Sequence, residues 1–420
     1  MNNPKRNKLH PAWRMVGASF MIMAVAWGSV YNCAGIFVQP VSADLGFTRS
    51  EINATMTIRA ICQLVISLLT GKIFKSSNIM KIMKVATVIL IVSFFSYSKA
   101  SSLMTFYILT AISSLCISLM AILPLSIILS NWFETSRASA IGMAFMGSGV
   151  GGMVLSALTG VWLESYGWRI SYQILSLLML VLVTPCVFFI LKVHPREAGL
   201  QAYGAAEPTP DPSVVPANEG MMLSQAMRSG TFWVITISSL FLVIAINGLM
   251  MNVAPHLANI GYSISFSANV VALTMGSLAF GKVALGKLFD RIGVKKAVLI
   301  ACLATTIATF GMLFATSLFG LILTIVFVGI GCAYATVANT VLTIEFFGKK
   351  DYNSIFGVLT AIGALGSMIS PIITGILFDQ TGSYTNSYQI SLVLSFLATL
   401  MFIGLFMQQK KSIAVSRSLV

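Results

Sequence analysis

Apolar residues in this chain come in long blocks separated by short polar stretches. Twelve such blocks occur, at roughly 13–38, 51–73, 81–98, 102–130, 138–163, 170–192, 230–254, 265–289, 296–315, 317–345, 353–378 and 386–408. A helix crossing a bilayer needs about 20 mostly apolar residues, and each block is near or above that length. The pattern predicts an all-α membrane protein with twelve transmembrane helices.

The chain also matches itself at an offset of 215. Gly46 meets Gly261, Gly71 meets Gly286, Gly142 meets Gly357, Gly151 meets Gly366, Gly160 meets Gly375 and Gly167 meets Gly382; Asn32 meets Asn247 and Pro40 meets Pro255. Of the 14 glycines in residues 1–205, six find a glycine partner, where chance gives about one, so internal duplication is the better explanation. The expected organisation is an N-terminal six-helix half (1–192), a polar linker (193–229, with Glu207-Pro208-Thr209-Pro210-Asp211-Pro212) and a C-terminal six-helix half with a short tail (230–420). Paired parallel halves are a transporter plan with the substrate site between them near the midplane.

Composition excludes the soluble classes. Of 420 residues 57% are hydrophobic and 9% charged, against about 25% charged in soluble domains. The net charge of +14 could suggest nucleic acid, but the cations sort by loop. Twenty-one of the 26 Lys and Arg residues fall on the side that carries both termini, and only Arg49, Lys99 and Arg169 fall opposite. This bias predicts a multi-pass protein of the cell membrane with both termini cytoplasmic and no nucleic-acid partner. The first span is expected to act as its own insertion signal, without a cleaved leader. The six cysteines sit inside apolar blocks with no C-x-x-C pair and read as small packing residues. No metal-ligand cluster, nucleotide loop or nucleophile–base pair is legible, so no metal, no cofactor and no enzymatic activity are expected. The expected partners are the lipid bilayer and a small organic anion, with the chain a monomer.

The sharpest local motif lies between spans 8 and 9: Gly286-Lys-Leu-Phe-Asp290-Arg291-Ile-Gly293-Val-Lys295-Lys296. Gly286 permits close helix approach, Gly293 suits a tight turn, and Asp290 can pair with basic groups or a helix N-terminus across the half. These residues resemble the G-x-L-x-D-R-x-G-R-[RK] signature of the major facilitator superfamily. The resemblance implies a gating latch that breaks as the halves rock. The first-half copy, Gly71-Lys-Ile-Phe74-Lys75-Ser76-Ser77-Asn78, has Lys75 where Asp290 stands, so any lock there must differ.

A second motif opens span 5. Phe133, Arg137, Ala140, Gly142, Ala144, Gly147 and Gly151 resemble the span-5 signature of the monocarboxylate transporter branch. Small-residue helix packing accounts for the glycines but not for Arg137, which joins Gly142 in the expected gating set. Proton-coupled drug antiporters carry a Pro where this chain has Ser148. Glu345-Phe-Phe347-Gly348-Lys-Lys350 and Ala254-Pro255-His256-Leu257 look like oxalate:formate antiporter relatives; His256 reads as a structural or rim histidine.

Arg59 and Lys282 are the charges placed well inside spans. Each costs about 2.5–3.5 kcal/mol on insertion scales, and no intramembrane carboxylate stands ready to pair with them. Cations lining an aqueous cavity attract an anion. Lys282 falls where the monocarboxylate branch places a substrate-contacting cation; snorkelling to the cytoplasmic interface is its structural alternative. Arg59 shares a polar stripe with Thr55, Gln63 and Ser67, and a bond to Glu51 is its alternative. Tyr31, Asn32, Gln63, Asn247 and Tyr334 are expected to complete a substrate pocket. Asn32 stands where that branch often has Lys, and Leu278 where it has Asp; both departures weaken the carry-over of its proton-coupling scheme. The expected activity is secondary transport of a small carboxylate by alternating access, as exchanger or symporter. The cargo would be a monocarboxylate such as lactate or pyruvate, or a dicarboxylate such as oxalate. A facilitator exporting a drug or neutral solute, or a ligand sensor without transport, are the rivals.

Overall fold

The computed structural model describes residues 10–74, 78–205 and 220–418. Lys75 and the Glu207–Pro212 stretch lie outside the described residues. Among the described residues, eleven continuous helical stretches are long and apolar enough to cross a membrane. The longest, Arg137–Ile190, is broken at Gly167 (φ 76°, ψ 171°) and forms two crossings, which makes twelve. Span 1 runs through 12–45, span 2 is Arg49–Ile73, span 3 Ile79–Tyr97, span 4 103–132, span 5 137–166 and span 6 168–190. Span 7 is Gly230–Asn259, span 8 Ile264–Ile292, span 9 Val294–Leu313, span 10 318–347, span 11 Tyr352–Thr381 and span 12 Thr385–Ser418. Several helices outrun the apolar blocks that announce them. Their first turns are held by polar caps, where a side-chain oxygen accepts an otherwise unpaired backbone N–H. Thr48 and Glu51 form a capping box on span 2, and Ser102, Ser229, Ser263 and Ser317 cap spans 4, 7, 8 and 10.

The duplicated glycines occupy equivalent places. Gly71 on span 2 and Gly357 on span 11 lie at one crossing between the halves, where an added Cβ would stand 2.2 Å from Ser354 Oγ and 2.5 Å from the Ser67 carbonyl. Their offset partners Gly286 on span 8 and Gly142 on span 5 make the other crossing. There an added Cβ would stand 2.4 Å from the Ala138 carbonyl and 2.3 Å from the Lys282 carbonyl. Only backbones without a side chain approach this closely. The two crossings are related by the internal repeat, as a pseudo-two-fold axis requires.

These approaches gather on the linker side. Towards the other face, an added Cβ at Gly35, Gly160, Gly276 or Gly375 meets nothing within 4 Å. The closest contacts between the halves, including the Asp290 bonds to span 5 and the Asn353 bond to the Phe74 carbonyl, lie on the side that carries the linker. On the opposite face, Asp44 at the end of span 1 pairs with Arg169 at the start of span 6 (2.5 Å) and accepts from Trp168 Nε1 (3.0 Å).

Candidate functional site

Lys282 is buried, 4% exposed. It lies ten residues before the end of span 8 (282 to 292), about 15 Å of helix rise. The backbone of Lys282 rests on Gly142, and its side chain runs along span 5 past the next turns. Nζ donates to Ser148 Oγ at 2.5 Å and to the Phe145 carbonyl at 3.3 Å. Helical side chains lean towards the N-terminus of their helix, which for span 8 is the face away from the linker. The ammonium thus points away from the linker-side interface, the reverse of snorkelling towards it. Both partners are neutral, and no carboxylate pairs with Lys282 among the described residues.

Ser148 joins this cation to span 1. Its carbonyl accepts from Asn32 Nδ2 at 2.7 Å while its hydroxyl faces Lys282. Span 1 widens into a π-type turn over Met23–Asn32, with the Cys33 N–H reaching back five residues to the Gly28 carbonyl. Such bulges re-aim side chains and recur at functional sites. Here the turn sends Asn32 to span 5 and Tyr31 to span 2, where its hydroxyl meets Gln63 Oε1 at 3.4 Å. Trp27 stacks on Tyr31 with centroids 4.2 Å apart.

Arg59 lies ten residues into span 2 (49 to 59), so it is as deep from one face as Lys282 is from the other. It is partly buried, and its Nε is enclosed with no hydrogen-bond partner. Glu51 does not pair with it; that carboxylate accepts from the Thr48 N–H and hydroxyl in the span-2 cap.

The remaining pocket residues separate. Asn247 donates to the Val243 carbonyl and to Ser367 Oγ, and borders a cavity of about 200 Å³ between spans 7 and 11 that Asn252, Thr374 and Tyr384 also line. Tyr334 sits in a π-type turn of span 10 but is fully buried, its hydroxyl 2.8 Å from Ser239 Oγ. It packs in the C-terminal half, its ring against Phe402. His256 is buried against Tyr384 and Tyr388 at the end of span 7.

At the linker face, Asp290 accepts from the backbone N–H groups of Ala138 (3.3 Å) and Ser139 (2.8 Å). Of the two partners the sequence allowed, it takes the helix N-terminus, that of span 5 in the other half. Carboxylate and helix dipole attract there. Arg137 folds back to the Phe133 carbonyl through Nε (3.0 Å), Arg291 is exposed, and Gly293 (φ 80°) makes the turn into span 9. Sequence reasoning missed the part played by Ser148. Its signal was a hydroxyl inside a glycine-rich stretch that needed none for packing. Among the described residues no three metal-ligating side chains cluster.

The profile of the Major Facilitator Superfamily matches residues 18–314 and 235–419. Monocarboxylate transporter 12 of Rattus norvegicus is 24% identical over 411 residues, covering 90% of this chain and 81% of the relative. Riboflavin transporter RibJ of Trypanosoma cruzi (strain CL Brener) is 24% identical over 204 residues, 46% of this chain and 42% of that one. Among solved structures, the transporter FucP in the outward conformation superposes with a TM-score of 0.69 at 14% identity, over 94% of this chain and 99% of that one. The human organic anion transporter MFSD10 (TETRAN) also gives 0.69 at 14%, over 94% and 100%. With twelve spans in two related halves and the family profile matched along nearly its whole length, the chain belongs to the Major Facilitator Superfamily and is a transporter rather than an enzyme.

Proposed function

We propose that this transporter moves a small carboxylate by alternating access, with Lys282 as the group that meets the carboxylate. The observation that carries the reading is a buried ammonium at mid-depth, on the contact between the halves, held only by neutral oxygens. A buried cation with no counter-ion gains from an incoming anion, because the anion restores the charge pairing that burial removed. Asn32, on the next span, supplies an amide beside the same point. Arg59, at matching depth in the N-terminal half, with Tyr31 and Gln63 beside it, is the second anion contact. A dicarboxylate such as oxalate would use both cations, and a monocarboxylate such as lactate or pyruvate would use Lys282. The latch at Asp290 would hold the cytoplasmic side closed, with both termini in the cytoplasm of a monomer in the cell membrane. Leu278 leaves no carboxylate one turn before Lys282 to carry a proton, which favours exchange over proton symport.

The test is counterflow in proteoliposomes with a panel of mono- and dicarboxylates, with riboflavin as the non-carboxylate control, with and without a pH gradient. Lys282→Gln should lower carboxylate flux about 100-fold, the scale of a lost charge-assisted contact of ~3 kcal/mol, at unchanged expression. Near-normal flux in that variant refutes the assignment. Dependence on the pH gradient refutes exchange.

A further inference from the structure

We propose a site for an anionic phospholipid on the outer flank of the N-terminal half, between spans 1 and 6 at the linker face. A cavity of about 700 Å³ opens there, within the range that seats a ligand. Its lining comes only from residues 11–21, 132, 186–192 and 198, so it lies apart from the boundary between the halves and from Lys282. The walls are apolar. Gly17 leaves its middle open, since an added Cβ there meets nothing within 4 Å. Phe189 borders it with 80% of its surface exposed, as suits a side chain against acyl chains.

Two cations stand at its mouth. Arg14 is exposed, with no carboxylate pairing among the described residues. Lys192 Nζ donates to the Glu197 carbonyl at 3.3 Å and pairs with no carboxylate among the described residues. The rings of Trp13, Phe133 and Tyr203 cluster beside Arg14, with centroids 5.3 to 5.9 Å apart, and Trp132 Nε1 donates to the Lys192 carbonyl at 2.8 Å. Arg and Lys at the linker end of a span mark headgroup depth on the side that carries them. An apolar trough ending in two cations at that depth fits acyl carbons below and a phosphodiester above.

The repeat gives an internal control. At the offset of 215, Arg14 becomes Ser229, Lys192 becomes Met407 and Gly17 becomes Phe232. Phe232 is fully buried. The C-terminal half has a side chain where the N-terminal half has a gap, and no cation at either position.

The full chain, purified in detergent, should be titrated with palmitoyl-oleoyl phosphatidylglycerol, with the phosphatidylcholine of the same chains, and with inorganic phosphate, following the unfolding temperature. Phosphatidylglycerol should give a saturable rise of a few degrees, and the other two should not. The rise should vanish in Arg14→Ala/Lys192→Ala and in Gly17→Phe. The first variant changes only partly exposed charges, so it tests the site even if the second fails to fold. An equal rise with phosphatidylcholine, a full rise with inorganic phosphate, or an unaltered rise in the double variant overturns the proposal. So does a wild-type dimer that the double variant dissociates, because a second copy would then fill the trough.

Discussion

Lys282 and Ser148 meet across the boundary between the halves, Nζ to Oγ at 2.5 Å. In the proposed mechanism a carboxylate competes with that hydroxyl for the same ammonium. Binding the anion would then draw Lys282 from span 5 and loosen the contact that holds the halves together at mid-depth. Ser148→Ala removes the competitor and leaves a buried donor short of an acceptor, a cost of about 1–3 kcal/mol. The substrate-free variant should unfold at a lower temperature, and its half-saturating carboxylate concentration should fall about tenfold. Unchanged affinity in counterflow would show that Ser148 does not compete with substrate.

Asp290 accepts from two backbone N–H groups at the start of span 5. Asp290→Asn keeps the shape and removes the charge that the span-5 dipole favours, a loss of about 0.3–2 kcal/mol. Transport should slow several-fold while carboxylate affinity measured by binding stays the same. Linker-face positions on span 5 should become more reactive to a membrane-impermeant thiol reagent once a cysteine is placed there. A change confined to affinity would contradict a latch.

The glycine crossings make a steric prediction with its own control. Gly142→Ala sets a methyl 2.3 Å from the Lys282 carbonyl, a backbone atom that cannot swing away. The crossing must widen, and turnover should drop at least about tenfold while the helices still form. Gly160→Ala lies on the same span, where a Cβ meets nothing within 4 Å, and should transport normally. Equal damage from both would mean that helix propensity, not closure, sets the effect.

The Asp44–Arg169 contact predicts an acid dependence. Hydrogen bonds from Arg169 and Trp168 hold the Asp44 carboxyl below the ordinary carboxylate range. Asp44 is exposed in the last turn before Gly46, where span 1 leaves the bundle. A carboxyl with a lowered folded-state pKa adds stability above its unfolded value, and that stability is lost as pH falls through the folded value. Unfolding temperature should therefore decline on acidification below the ordinary carboxylate range, and the decline should be shallower in Asp44→Asn. Identical profiles would assign the acid sensitivity elsewhere.

Much of the fold follows from one-dimensional information. Block length gives the spans because a bilayer asks every helix for the same apolar length. The glycine matches at one offset give the two halves because close crossings tolerate no side chain wherever they fall. Those matches mark both crossings, Gly71 with Gly357 and Gly142 with Gly286, although nothing in the sequence says which glycine faces which. The charge sorting also isolates Arg59 and Lys282, since a cation inside a span costs too much to be incidental.

The rest depends on how the spans assemble. Tyr334 and Asn247 look alike in sequence, each a polar residue at mid-span, yet Tyr334 is spent on Ser239 inside the C-terminal half while Asn247 borders a cavity. The π-type turn that holds Tyr31 and Asn32 lies where span 1 packs closely on Gly151, a contact that no local pattern encodes. Ser148 shows the limit most plainly. It is one hydroxyl among small residues, and it becomes a partner of Lys282, 134 positions away, only because two glycines let spans 5 and 8 touch. Which residues must be buried in lipid, and which charges are out of place there, can be read along the chain, because both are set by transfer free energies that each segment carries alone. Which groups those charges meet depends on how distant helices cross, and that is a property of the assembled bundle.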